Sequence, residues 1–433
     1  MYIQVKTKFV MSLVVATVWM GLSIWLSQPW YEQLSEHTTP WLAAFLIGFI
    51  AIIPGFMNAF IMSALALDKR PKLPARTEYP GVTVLIAAYN EASSIEDTVR
   101  SLMRQDYPGR LQVVVINDGS ADATADIVRG LLPEFANLQL VDLKQNGGKA
   151  AALNAGLKLC ETDYVITVDA DCWIWKHGIR NIVGRRLADP PNTRAVAGAI
   201  LIRNSRQNWL TQAQEWDYFL GIAVTKRIQS LFQGTLVAQG AFSLYDRSTL
   251  EEVGGWPHTV GEDIVLTWKI LRAGYRVGHA ENAYAMTRCP DTLRQFVRQR
   301  QRWSRGLIEA FKLTPGILLQ RKLPVFYIWW NTLFPLMDLA YTVGFIPGLV
   351  LACFGHFWIV GPMTLALLPM SFLMNWLMYS RSKATFDEMD LKVRRNRWGL
   401  VTYALVYSMI LQPACVWGYL SELLNLRKTW GTK

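Results

Sequence analysis

Two apolar runs near the start of the chain, at about 9–27 and 41–67, constrain it more than any other feature. As helices, each is long enough to cross roughly 30 Å of hydrocarbon. A third apolar region, 323–380, has room for two spans joined near "FGHFW", and a last run, 398–424, is interrupted by Pro413. Lys6 and Lys8 precede the first run, "DKRPK" follows the second, and the link between them carries Glu32 and Glu36 with no Lys or Arg. The positive-inside rule therefore puts the N-terminus and everything after residue 68 in the cytoplasm. No small-x-small cleavage site precedes Gln28, so the first run is expected to be a signal anchor rather than a removed leader. Five spans would leave the basic C-terminus outside, against its charge. Two or three C-terminal spans thus stay open, and the last segment could be re-entrant.

Composition supports the membrane. The chain has a net charge of +11, 52% hydrophobic residues and 18 Trp, a combination suited to a cationic surface against anionic lipid. Its Lys and Arg lie mostly beside apolar runs, which favours a lipid bilayer and a phosphorylated substrate over nucleic acid. The five Cys, at 160, 172, 289, 353 and 415, form no CxxC pair and are expected to be reduced thiols.

Between residues 76 and 288 the character changes. "GVTVLIAAY", "LQVVVIND", "LQLVDL", "YVITVDAD" and "AVAGAI" are short β-branched runs separated by amphipathic helical patterns. Strands alternating with helices predict an α/β domain with a parallel sheet covered on both faces. In such sheets ligands gather beyond the carboxyl ends of strands, and the conspicuous polar residues fall there.

Asp169 and Asp171 end one of these runs, and on a continuing strand they would share a face. Paired carboxylates suit Mg²⁺ or Mn²⁺, which need oxygen ligands and take the rest from substrate phosphates. Aspartate is also common in caps and turns. "VINDGSAD" ends a second strand with Asn117 and Asp118, and Glu91 follows a third in "AAYNEASS". "QNGGKAAALNAGL" places Lys149 in a glycine turn at a helix start, where phosphate binds readily, although a solvated surface lysine has the same pattern. Glu262 and Asp263 open an amphipathic helix in "GEDIVLTWKI" as caps or, for Asp263, as a general base. "RQRQRW" lies in a basic helical pattern suited to a membrane interface.

In this order Asp118, the DAD of 169–171, QGAF (239–242), GED (261–263) and QRQRW (299–303) resemble the processive family-2 glycosyltransferases with a GT-A catalytic domain. The match covers roughly residues 80–310. It implies a Rossmann-like GT-A domain, cytoplasmic and embedded between transmembrane helices of a multi-pass protein in the bacterial inner membrane. The boundaries are two helices in 1–75, the catalytic domain in 76–288, amphipathic interface helices in 289–322 and two or three spans in 323–433.

The resemblance further implies a UDP-sugar donor, a growing polysaccharide acceptor and a small accessory membrane subunit. Tyr89, Glu91 and Asp118 would hold the uridine end, with Lys149 nearby. Asp169 and Asp171 would hold the metal, and Asp263, beside Glu262, would be the base. Gln299, Arg302 and Trp303 would line the diphosphate and acceptor, with Gln239 and Gly240 at the acceptor's end. "NGGKAAALNAGL" and "GEDIVLTWKI" look most similar to the branch that makes poly-β-1,6-N-acetylglucosamine from UDP-N-acetylglucosamine. Hyaluronan, chitin or cellulose synthesis, single-sugar transfer to a lipid phosphate carrier, and a transport or scaffold protein with a degenerate sugar-nucleotide domain are the alternatives.

Overall fold

The computed structural model describes residues 3–69, 76–361 and 396–427, with individual positions between 372 and 387. Helices α1 (Val5–Leu26), α2 (Gln28–His37) and α3 (Pro40–Leu67) come first. The α/β region follows with β1 (Val82–Ala88), α4 (Ile95–Met103), β2 (Leu111–Asp118), α5 (Thr124–Leu131), β3 (Leu138–Leu143), α6 (Lys149–Leu157) and β4 (Tyr164–Val168). It continues through β5 (Trp173–Ile174), α7 (Gly178–Ala188) and β6 (Thr193–Ile202). The long rod α8 runs from Trp209–Trp216 through a π-helical stretch, Asp217–Val224, into Thr225–Leu231. Then come β7 (Phe242–Asp246), α9 (Arg247–Glu252), α10 (Glu262–Arg272), β8 (Arg276–Thr287), α11 (Leu293–Leu313), α12 (Leu323–Cys353) and α13 (Arg397–Leu423).

Of these, α1, α3, α12 and α13 are the 4 helices in the described residues long and apolar enough to cross a membrane. They match the expected runs, and α13 continues through Pro413 after a π-helical stretch at Tyr403–Tyr407. The expected second span of 323–380, most of the basic 380–397 segment and the last six residues lie outside the described residues.

The sheet order is β3-β2-β1-β4-β7-β6-β8-β5. The first four strands are parallel, as the sequence predicts. The sheet as a whole is mixed, because β7 runs antiparallel to both β4 and β6 and β5 runs antiparallel to β8. The β-branched strands carry the two-residue alternation of a pleated sheet. Val82, Val84 and Ile86 bury on one face with α4, α5 and α7, while Leu85 buries on the other with α6 and α10. That second face is continuous with Phe60 of α3, Ile328 of α12 and Tyr419 of α13, so the sheet and the membrane helices share one core. Each fully buried Val, Ile or Phe there is worth roughly 1.5–3 kcal/mol, which makes the union with the membrane helices a large stabilising term.

The five cysteines are free, as expected. Asp338, an ionisable residue within a span, accepts a hydrogen bond from the Tyr419 hydroxyl at 2.9 Å, which ties α12 to α13.

α11 is held between the sheet domain and the membrane helices. Gly306 lies against Gly261 so closely that a Cβ on Gly306 would stand 2.9 Å from the Gly261 Cα. At its far end Arg305 donates to the Leu426 carbonyl at 2.7 Å and Lys312 to the Glu422 carbonyl at 2.7 Å, so two cations meet the free carbonyls that end α13. Backbone against backbone leaves nothing flexible to yield. Gly306→Ala is therefore expected to cost about 1–3 kcal/mol of overpacking, seen as a thermal midpoint several degrees lower in detergent.

Candidate active site

Lys149 is where three separated motifs meet. Its ammonium lies 2.5 Å from Asp169 Oδ1 and 3.3 Å from Glu262 Oε1. The turn before it is set by Asp118, whose two carboxylate oxygens accept from the backbone N–H groups of Gly147 (2.9 Å) and Gly148 (2.8 Å). Gly148 has φ +85, a conformation only glycine adopts without strain, and it delivers Lys149 to the first turn of α6. Gly240 supplies the other requirement: a side chain there would collide with the Lys149 amine. Burial works against the charge, but Asp169 and Glu262 outweigh it and hold the ammonium above the usual lysine range.

Strand β4 stops at Val168, so the shared face expected for Asp169 and Asp171 is not a strand face. A turn does the work instead, with the Cys172 N–H donating to the Asp169 carbonyl at 3.0 Å. The turn brings a carboxylate oxygen from each aspartate and the Cys172 Sγ within 4.8 Å of one another. Burial, then the nearby Asp169 and Glu91, push the Asp171 carboxyl up to about 6. Its recorded partners are neutral: the Thr287 hydroxyl at 3.3 Å and the Cys172 thiol at 3.7 Å. The Cys172 thiol is itself pushed well above its ordinary value by burial, so it stays a weak donor. Two crowded carboxylates, one facing no cationic side chain among the described residues, fit a hard divalent ion with oxygen ligands.

The GED segment is capped from α11. Gly261 N–H donates to the buried Glu309 carboxylate at 2.9 Å, and the Asp263 carboxylate accepts from its neighbour Ile264 at 2.8 Å. Glu262 is buried against Lys149; burial pushes its carboxyl up, Lys149 and Arg302 oppose that, and Asp263 adds to it. Together these residues line a cavity of about 1080 Å³ with Glu91, Asp169, Asp171, Gly240, Asp263, Gln299, Arg302 and Trp303. Gln299 is 8% exposed, and its side-chain oxygen has no hydrogen-bond partner among the described residues. Gln239 donates its amide nitrogen to the Gly198 carbonyl at 2.6 Å, and its oxygen has no partner among the described residues. The same cavity extends between the membrane helices to Asn58, Tyr327, Trp330, Asn331 and Gln412.

Most of the sequence-predicted residues thus converge, and two sit apart. Asp118 lies beneath the glycine turn and does not line the cavity, while Tyr89, 49% exposed, stands beyond β1 outside it. Glu91 is at the rim, where its carboxylate accepts from Ser94 at 2.8 Å.

Sequence reasoning missed the support under QRQRW. Arg300 is 4% exposed, 2.8 Å from Asp217 and 2.7 Å from the Tyr407 hydroxyl, and its guanidinium lies 4.2 Å from the Trp303 ring centre. The sequence signal was confined to the helical period, which does not say that Arg300 points inward while Arg302 faces the cavity. Glu309 and Asp217 carried no signal. Arg300→Met would strand Asp217 beside the aromatic cluster, and losing one member of a buried pair costs about 3–5 kcal/mol. A large fall in folded yield and thermal midpoint is expected, with exposed Arg104→Met as the near-neutral control.

Residues 83–254 match the Glycosyl transferase family 2 model. Poly-beta-1,6-N-acetyl-D-glucosamine synthase of Staphylococcus aureus (strain COL) is 34% identical over 242 residues, 56% of this chain and 58% of the relative. The protein of the same name from Staphylococcus epidermidis is 34% identical over 227 residues, 52% of this chain and 54% of that one. The chain thus spans little more than half the length of these curated relatives. A mannosyltransferase from Pyrobaculum calidifontis, solved in complex with GDP-Man and Mn²⁺, superposes with a TM-score of 0.62 at 21% identity, covering 89% of this chain and 100% of that one. That likeness establishes a shared GT-A fold. Residues 83–254 of the central α/β region thus carry the pattern of a family 2 glycosyl transferase domain.

Proposed function

We propose that this protein is a membrane-embedded, inverting, processive glycosyltransferase that polymerises UDP-N-acetylglucosamine into a β-linked exopolysaccharide of the poly-β-1,6 type and helps to export it. The observation that carries this reading is the single cavity running from the Asp169, Asp171 and Asp263 carboxylates to polar and aromatic side chains between the membrane helices. A soluble sugar-nucleotide enzyme has no use for that continuation. A polymer made at its lower end would leave through it, sparing the sugars a costly passage through hydrocarbon.

In this reading Tyr89, Glu91 and Asp118 serve the nucleotide end, Asp118 by shaping the turn that carries Lys149. Asp169 and Asp171 are the residues that would hold Mg²⁺ or Mn²⁺, which when bound would offset negative charge on the donor diphosphate. Asp263 takes the proton from an acceptor hydroxyl as that oxygen attacks the anomeric carbon from the face opposite the nucleotide. The new β glycosidic bond forms as the bond to UDP breaks, and UDP departs with the electron pair. Arg302 and Lys149 are placed to stabilise the charge that develops there. Gln299 and Trp303 receive the acceptor, with the unpartnered Gln299 oxygen available to a sugar hydroxyl and the half-exposed indole to a sugar face. Gln239 and Gly240 complete the acceptor end.

The positive-inside pattern supports a catalytic domain on the cytoplasmic side of a bacterial inner membrane. An accessory membrane subunit belongs to the same proposal. Polymerisation by the purified chain alone would show that the subunit is dispensable for catalysis.

Purified protein should convert UDP-N-acetylglucosamine, supplied as the sole sugar nucleotide, into a long product cut by hydrolases specific for the β-1,6 linkage. A single-sugar lipid product would instead establish the lipid-carrier reading. Asp263→Asn is expected to lower synthesis by about 10²–10⁴-fold, the usual worth of a positioned base, while UDP affinity stays within about twofold. Undiminished turnover in the folded variant would remove Asp263 from that role.

A further inference from the structure

Lys226 has no place in the motif-based account, and its setting is unusual. It is 7% exposed, in the final segment of α8, and it lines the same cavity as Asp263, Gln299 and Trp303. Its amine makes no hydrogen bond or ion pair among the described residues, and its backbone carbonyl accepts from the Thr235 hydroxyl at 3.5 Å. Burial pushes the amine down to about 7, and Asp263 is the charged group that pulls it the other way.

A largely buried lysine whose amine meets only the cavity is costly, and a methionine would fill the same volume without that cost. Retaining a costly group in a cavity is the pattern of a side chain kept for what it binds. The surroundings specify the ligand. Gln229, one turn further along α8, faces the same cavity, and its amide is fixed by accepting from the Leu236 N–H at 3.2 Å. Asp263 and the unpartnered Gln299 oxygen also line this space. An amine, a carboxylate and two amides lining one cavity can bind hydroxyls and amide carbonyls, the groups of an N-acetylated sugar. The π-helical stretch Asp217–Val224 lies immediately before Lys226, and such insertions are frequent at functional sites.

Given the glycosyl transfer proposed above, we infer that Lys226 binds the acceptor: its amine hydrogen-bonds the terminal sugar of the growing chain, and so presents the attacking hydroxyl to Asp263. Poised between charge states, the amine donates to a sugar without an obligatory counter-ion. It leaves the carboxylate free to take the proton.

The test uses the full chain in detergent, UDP-N-acetylglucosamine as donor and a β-1,6-linked N-acetylglucosamine tetrasaccharide as acceptor. Lys226→Met is expected to raise the acceptor KM about tenfold, the loss of one good hydrogen bond, while the donor KM stays within about twofold. Its thermal midpoint should be unchanged or higher, which a structural lysine would not allow. Lys226→Gln, which keeps a donor, should recover part of the acceptor affinity. An unchanged acceptor KM in Lys226→Met overturns the assignment, as does an equal rise in both KM values with a lowered midpoint. Failure of the wild-type protein to extend the tetrasaccharide would overturn the transferase reading, and the lysine's role with it. An active wild type beside an indifferent variant removes only the lysine.

Discussion

The structure depends on one partly buried ammonium. Lys149 sits between Asp169 and Glu262, and each of the three comes from a different part of the chain: a glycine turn, the loop after a central strand, and the start of a helix more than a hundred residues later. Negative charge drawn together at the carboxyl ends of strands would repel strongly in a partly buried site, and this cation makes the arrangement tolerable. Its own position is over-determined. Asp118 fixes the turn that launches it, and the missing side chain of Gly240 leaves room for its tip. What Lys149 does not neutralise is Asp171, and that residual negative charge is the feature that calls for a further cation at the site.

The second constraint is mechanical. α11 carries Gln299, Arg302 and Trp303 to the cavity, yet it is gripped from both sides. The Gly306–Gly261 contact and the Glu309 cap lock it to the helix bearing Asp263, while Arg300, Arg305 and Lys312 lock it to the last membrane helix. Asp263, Arg302 and Trp303 are thus fixed relative to each other and to the mouth of the membrane cavity. The processive transfer proposed for this chain would require that rigidity, because each new chain end must reach the same place before the next transfer. Trp303 also rests on the Arg300 guanidinium, so a buried ion pair supports the indole proposed to meet the sugar.

Much of this was legible in the sequence. The β-branched runs announced the four parallel strands, and the polar residues at their ends pointed to the site, because strand direction and ligand position are coupled in open α/β sheets. β7 and β8 were harder to read. β7 has only five residues and begins on the phenylalanine of QGAF without a turn signal, and its antiparallel pairing is a tertiary fact that no local pattern encodes. The shared face of Asp169 and Asp171 was expected from strand alternation and is produced by a turn, since the strand ends one residue before the first aspartate. Lys226, Arg300, Asp217 and Glu309 were invisible for a common reason: their meaning lies in which buried partner they meet, or fail to meet, across long sequence separations.

The central claim is that the aspartate pair, with Lys149 behind it, holds a divalent ion and through it a nucleoside diphosphate. Calorimetric titration of UDP into the purified protein tests it directly. Binding is expected with Mn²⁺ or Mg²⁺ present, lost on chelation, and lost in the folded double variant Asp169→Ala, Asp171→Ala at saturating metal. UDP binding of equal affinity in the chelated wild type and in that variant would contradict the account.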